Sequence, residues 1–197
     1  MDFTSKISEL QAYISKAKTQ GKTIGLVPTM GALHKGHASL IKKAKEENSF
    51  VIVSIFVNPH QFGEAKDLEK YPRTIKEDTI VCNEAGADLI FSPLPEEIYP
   101  SSRCKVIAGE ASRGFEGEFR PGHFDAVATV VLLLLNITQA DTAYFGEKDY
   151  QQLEVIQEMV RTLYLPVKIV GCDIIRDYDE IAYSSRNVLL SKEERSR

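Results

Sequence analysis

The chain has 197 residues, with 24 Lys+Arg against 28 Asp+Glu and a net charge of −4. At ~150 residues per domain this is one good-sized domain with room for part of another, and burial of roughly 70% of the unfolded surface makes a disulfide staple unnecessary. A hydrophobic fraction of 43% with 26% charged residues excludes disorder as the main theme, and a mildly acidic surface speaks against sequence-independent nucleic-acid binding.

In chain order, residues 4–20 place Ile7, Leu10, Ile14 and Ala17 on one helical face, with Gly21 as a stop. Residues 23–27 are a short apolar run leading into Pro28-Thr29-Met30-Gly31, and residues 37–48 are helical. The β-branched run 51–57 has the character of a strand buried on both faces. A helix over 78–85 ends at Gly86, followed by a strand over 88–91 and a short strand over 104–107. Residues 124–138 are apolar almost all round and too long for a strand, which predicts a buried helix. A strand over 143–145 precedes a helix from Asp149 with Leu153, Ile156, Val160 and Leu163 on one face, and 167–174 form the last strand. The alternation predicts an α/β fold, a Rossmann-like parallel sheet with helices on both faces. The longest irregular stretch, 93–121, has the length of a subunit contact or a lid.

Cys82, Cys104 and Cys172 are odd in number and form no CxxC pair, so neither a metal ribbon nor a disulfide framework is expected. Each reads as a small buried side chain in a reducing compartment. The N-terminus carries no basic-then-apolar signal, and the apolar run 130–135 is far short of the ~20 residues that span a bilayer. The expectation is a cytoplasmic protein with neither membrane nor nucleic acid as partner.

Ligands of such sheets bind beyond the carboxyl ends of the strands. The segments there are 28–37, 58–63, 146–152 and 175–186, and polar residues concentrate in all four. In the first, Gly31 and Gly36 permit close backbone approach, and His34 and His37 lie three apart where a helix begins. Free N–H groups and a positive dipole end suit a phosphate chain, and two imidazoles can donate to phosphate oxygens whose charge grows in a transition state. Neither GxxxxGK[ST] nor GxGxxG is present.

Six ordered blocks, VPTMGALHKGH, SIFVNPHQFG, YPRT, RPGHF, YFGEKDYQQL and SSRN, closely resemble the pantothenate synthetase (pantoate–β-alanine ligase) family of HIGH-signature nucleotidyltransferases, over residues 24–190. The resemblance implies condensation of pantoate with β-alanine through a pantoyl adenylate, releasing AMP and pyrophosphate. It places Met30, Gly31, Ala32, Leu33, His34, Lys35, Gly36 and His37 at ATP, with His37 at the family's active-site histidine and His34 beside it on the phosphates. Gly146, Glu147, Lys148 and Asp149 join the ATP site, as do Ile175, Tyr183, Ser184, Ser185 and Arg186, the counterpart of a mobile phosphate loop. His37, His34, Lys148, Ser184, Ser185 and Arg186 are the expected catalytic set. Gln61 is implied at pantoate and β-alanine and Gln152 at pantoate, and Asn58, presented beside Gln61, is expected with them among the substrate-binding residues. Asp149 is suited to capping its helix and to accepting from a ribose hydroxyl. Use of ATP implies Mg²⁺ held mainly by phosphates and water, so no protein metal ligand is assigned; Glu77 and Asp78 read equally well as a solvated helix start.

Four positions depart from the family's usual pattern: Glu180 where glycine is frequent, Tyr183 where Met, Leu or Lys is common, Ala126 where glycine is usual, and Leu133 where lysine often stands. A homodimer is implied. The family normally continues past this length, so residues 1–174 are expected to be a nucleotide- and pantoate-binding domain, and 175–197 the opening of a smaller C-terminal domain in a truncated chain. Two other readings stay open on sequence grounds: a nucleotidyltransferase of the same superfamily that leaves AMP on a phosphorylated acceptor, and a non-catalytic ATP-binding module.

Overall fold

The computed structural model describes residues 1–63, 65–99 and 104–195. Strands β1 (Asp2–Thr4), β2 (Ile24–Thr29), β3 (Phe50–Ile55), β4 (Leu89–Phe91), β5 (Thr142–Gly146) and β6 (Lys168–Cys172) form one sheet in the order β1-β4-β3-β2-β5-β6. Every pairing is parallel, so between strands the chain returns to the same end of the sheet, mostly through helices. These are α1 (Ile7–Thr19), α2 (Lys35–Glu47), α3 (Ala65–Lys70), α4 (Ile75–Ala85), α5 (Pro95–Ile98), α6 (Phe115–Phe119), α7 (His123–Thr138), α8 (Tyr150–Thr162) and α9 (Lys192–Arg195).

Both faces of the sheet are covered. On one, α1, α7 and α8 bury Leu10, Ile14, Val127, Leu134 and Ile156 against Leu26, Ile52 and Phe91. On the other, α2 and α4 bury Ile41, Ala44 and Cys82 against Val27, Val53 and Ile90. Successive β3 residues enter opposite cores, which is why the strand reads as an unbroken apolar run.

Strand order fixes the site. From β2 the chain steps outward to β3 and β4 on one side, then to β5 and β6 on the other. Such a reversal opens a crevice between β2 and β5 at their carboxyl ends. The two strands pair only at Gly25↔Thr142 and Leu26↔Ala143, whereas β2 pairs β3 along its whole length. Pro28, with no N–H to donate, therefore sits where half of its ladder has already ended.

Several sequence expectations are corrected. The first residues form β1, hydrogen-bonded to β4, and the helix begins at Ile7, not at residue 4; a three-residue strand has too little alternation to register in a sequence. Residues 104–107 form no strand: the Val106 N–H goes to Thr129 Oγ1 (2.9 Å) and the Ala108 N–H to Asp125 Oδ1 (2.8 Å), so α7 side chains take the donors a ladder needs. Leu163 follows the end of α8 and is half exposed. Of the cysteines, all free, only Cys82 is buried, while Cys172 is half-buried and Cys104 exposed.

Candidate active site

The turn from β2 to α2 is built from behind. Thr29 Oγ1 donates to the Ser54 carbonyl (2.8 Å) and accepts from the Gly31 N–H (3.2 Å). Gly31 has φ +83°, and a Cβ there would lie 3.0 Å from Asp78 Oδ2 and 3.2 Å from Ile55, so the turn requires glycine. Asp78 is 1% exposed, and its carboxylate accepts from the N–H groups of Ala32 (3.1 Å) and Leu33 (2.8 Å) and from Thr74 Oγ1 (3.1 Å). These bonds hold Ala32 at φ +49°, a conformation a non-glycine residue adopts only at a cost. Asp78 thus does not belong to a solvated helix start. It braces the histidine turn.

The His34 N–H donates to His37 Nδ1 (3.3 Å), and the two rings lie 4.1 Å apart. Since Nδ1 of His37 accepts, the neutral ring carries its hydrogen on Nε2. Burial, then His34 and Lys148, push His37 down to about 3. Burial and then Lys148 push His34 down to about 4, against a smaller opposing pull from Asp149. Both imidazoles are neutral at pH 7. They offer hydrogen bonds without bringing two adjacent cations.

Asn58 is 1% exposed, with all its polar atoms committed. Its Oδ1 accepts from Tyr99 Oη (2.8 Å) and the His60 N–H (3.2 Å), and its Nδ2 donates to Gln61 Oε1 (3.1 Å) and the Ala126 carbonyl (3.3 Å). Asn58 therefore orients Gln61, whose Nε2 points to Met30 Sδ (2.8 Å).

After β5, a short turn over Glu147–Asp149 presents Lys148, which pairs with Asp149 (3.1 Å), both partly exposed. The Asp149 side chain makes no capping bond to α8, so the expected cap is replaced by this ion pair.

Residues 175–183 form a hairpin through the Arg176↔Ala182 bridge and the Tyr183 N–H to the Ile175 carbonyl (3.0 Å). Glu180 has φ +63°, so the position at which the resemblance implied a glycine does adopt a left-handed conformation. The Tyr183 ring stacks on His34 (6.0 Å between centroids, 23°) and its Oη donates to Asp177 (2.8 Å). Ser184 Oγ accepts from the Arg186 N–H (3.2 Å), Ser185 Oγ meets Tyr71 Oη (3.2 Å), and Arg186 pairs with Asp67 (3.0 Å).

All four segments border one cavity of about 1010 Å³. Met30, His34, Gly36, His37, Asn58, Gln61, Gly146, Lys148, Asp149, Gln152, Ile175, Tyr183, Ser184, Ser185 and Arg186 line it. Gly31, Ala32, Leu33, Lys35 and Glu147 do not: the first three turn toward Asp78, and Lys35 lies over the outer side of the Tyr183 ring (5.5 Å). Sequence reasoning missed Asp78, Tyr71, Arg120, His123 and Gln151. Tyr71, Arg120 and His123 lie inside the YPRT and RPGHF blocks, which were the available signal. Gln151 holds the 111–116 segment against the cavity, its Nε2 donating to the Ala111 and Gly114 carbonyls (both 3.1 Å). Among the described residues no cluster of three or more His, Cys, Asp or Glu could hold a metal ion. The donor set of imidazoles, hydroxyls, lysine and arginine fits a polyphosphate instead.

The model of the pantoate-beta-alanine ligase family matches residues 2–197. The chain is 54% identical over 191 residues to a pantothenate synthetase of Aquifex aeolicus, covering 96% of this chain and 68% of that protein. It is 54% identical over 192 residues to a pantothenate synthetase of Clostridium novyi, covering 97% and 68%. A crystal structure of pantothenate synthetase from Thermus thermophilus superposes with a TM-score of 0.93 at 47% identity, over 100% of this chain and 70% of that one. A pantoate-beta-alanine ligase from Francisella tularensis, solved with beta-gamma ATP and beta-alanine, superposes with a TM-score of 0.93 at 41% identity, over 98% and 74%.

Proposed function

The chain belongs to the pantoate-beta-alanine ligase family, and on that premise we propose that it makes pantothenate in two steps. In the first, a pantoate carboxylate oxygen attacks the α-phosphorus of ATP, the bond to pyrophosphate breaks, and a pantoyl adenylate forms. In the second, the β-alanine amine attacks the acyl carbon, and the bond to AMP breaks. The mixed anhydride is needed because a free carboxylate resists attack by an amine.

The observation that carries this reading is the make-up of one cavity's lining. Neutral amides, Gln61 and Gln152, lie on the same walls as two uncharged imidazoles and the cations Lys148 and Arg186. Amides both donate to and accept from a hydroxy acid, whereas a phosphorylated acceptor would call for more cations there. His37 Nε2 and His34 donate to phosphate oxygens as charge shifts onto pyrophosphate. Ser184, Ser185 and Arg186 hold the leaving group, with Arg186 exchanging Asp67 for it. Asn58 acts through Gln61. Mg²⁺ would ride on the phosphates and neutralise part of their charge. Residues 175–197 belong in this reading to the start of a second domain. Positioning of the two reactants alone can supply about 7–11 kcal/mol of the barrier.

Exchange of labelled pyrophosphate into ATP, measured with pantoate and without β-alanine, tests the proposal. Pantoate-dependent exchange is expected. Exchange that ignores pantoate, or its absence from a folded protein, overturns the two-step reading.

A further inference from the structure

Met30 stands between the braced β2–α2 turn and the amide end of the cavity, and its sulfur meets the side chain of Gln61. Asn58 decides which end of that side chain it meets. Asn58 Oδ1 accepts from the His60 N–H (3.2 Å), a group that only donates, so Nδ2 is the atom that faces Gln61 and it requires an oxygen there. Gln61 Oε1 is thereby taken (3.1 Å), and Nε2 is left to Met30 Sδ at 2.8 Å. A thioether is a weak acceptor. Gln61 thus holds its donor on a partner that a ligand oxygen displaces at little cost.

The amide has no room to retreat. Asn58 is buried, and its other Nδ2 bond goes to the Ala126 carbonyl (3.3 Å). Behind it, His123 Nδ1 (3.0 Å) and Arg120 Nη2 (3.4 Å) converge on the main-chain carbonyl of Gln61. The methionine is the adaptable partner, an unbranched side chain with freely turning bonds. Met30 borders the cavity, so a small solute that enters reaches it. Of the other two methionines, Met159 is buried in the core and Met1 is exposed at the terminus.

A peroxide transfers one oxygen to a thioether. The O–O bond breaks, a sulfur–oxygen bond forms and water leaves; the sulfur is oxidised to the sulfoxide as the peroxide is reduced. An oxygen added to Sδ does not fit within the present spacing to Nε2. Because Gln61 is fixed, the methionine turns, and its new oxygen, a far stronger acceptor than the sulfur, keeps the Nε2 hydrogen. We propose that Met30 is a peroxide-sensitive modification site, whose sulfoxide competes with the hydroxy acid for the Gln61 amide and so shuts off the first step reversibly. This rests on the reading of Gln61 as a ligand of the acid.

The test compares protein treated with hydrogen peroxide and untreated protein, with dithiothreitol added afterwards to reverse the first oxidation step of Cys104 and Cys172 but not a sulfoxide. Peptide mass analysis should find one added oxygen on Met30. The KM for pantoate in pyrophosphate exchange should rise about tenfold or more, as for one lost hydrogen bond, while that for ATP stays within about twofold. Methionine sulfoxide reductases of both epimer specificities should restore it. Met30→Leu is judged only by the ratio of its treated to untreated rate, which should stay near one; the mapping and reductase arms require no variant. An unoxidised Met30 in protein whose Met1 is fully oxidised overturns the proposal. So does a Met30 sulfoxide with unchanged KM for pantoate, or inhibition that persists in Met30→Leu. Calorimetric binding of pantoate requires no turnover: if oxidation of Met30 weakens it in a protein without exchange, the two-step reading falls and this site stands.

Discussion

At one end of the cavity, the turn from β2 to α2 is held from behind by the buried carboxylate of Asp78 and by Thr29. At the other, the hairpin and loop over 175–187 are held by the half-exposed pair of Arg186 with Asp67, by Ser185 on the buried Tyr71, and by the more enclosed pairs of Arg195 with Asp177 and Asp179. The first arrangement fixes backbone N–H groups and two neutral imidazoles before any ligand arrives, so no reorganisation is required when charge develops on phosphate. The second presents hydroxyls and a guanidinium to the same cavity, and the half-exposed Arg186–Asp67 pair contributes only about 0–1 kcal/mol, so in the proposed reaction Arg186 can let go of Asp67 and close on the leaving group. In the proposed reaction both ends serve phosphate chemistry. One is built for rigidity and the other for exchange of partners.

The largest effect that would sharpen this contrast is catalytic. His37→Ala should reduce pantoate-dependent pyrophosphate exchange by about 10²–10³ while leaving the far-UV spectrum and unfolding midpoint nearly unchanged; near-normal exchange would remove His37 from the first step. Next comes the brace. Asp78→Ala strands the N–H groups of Ala32 and Leu33, each costing about 1–3 kcal/mol, and at about 2–4 °C per kcal/mol for a chain this size the melting temperature should fall by several degrees, with a higher KM for ATP. The matched change at the other end, Asp67→Ala, should move stability by no more than about 0.5 kcal/mol. If the two carboxylates proved equally important to stability, the contrast would fail.

Smaller effects follow. Glu180→Gly relieves a left-handed residue and should stabilise the protein by up to about 1 kcal/mol, read as a shifted denaturation midpoint; a loss of that size would mean that the hairpin depends on the glutamate side chain. A further prediction concerns pH. His34 and His37 lie at about 4 and about 3 when folded, against 6.5 when free. Between these values the unfolded chain binds more protons, so stability should fall as pH drops below about 6.5. The fall should be shallower in His37→Gln, as checked by urea unfolding at several pH values.

The sheet was legible in the sequence because its strands are buried on both faces and the helices between them carry clear apolar stripes. Short elements were not: β1 and α6 are stabilised by backbone pairing or by contact with the rest of the chain, and neither leaves a period to read. The four segments that border the cavity were visible from polar residues at strand ends, and Glu180 marked a left-handed position that the fold indeed adopts. The bracing role of Asp78 was invisible for a physical reason. Acidic residues are common in the first turn of a helix, and only the approach of the β2–α2 turn shows that this one faces inward. The convergence of Arg120 and His123 on the Gln61 carbonyl was hidden in the same way, because the 120–123 turn and Gln61 are far apart in the chain and meet only in three dimensions.

The central claim is that pantoate is activated by adenylation, and oxygen transfer tests it most directly. Pantoate labelled with ¹⁸O in both carboxylate oxygens, incubated with ATP and β-alanine, should leave one ¹⁸O in the phosphate of AMP and one in the amide carbonyl of pantothenate, read by mass spectrometry. Pantothenate formed with unlabelled AMP, or with ADP as the nucleotide product, would contradict the account.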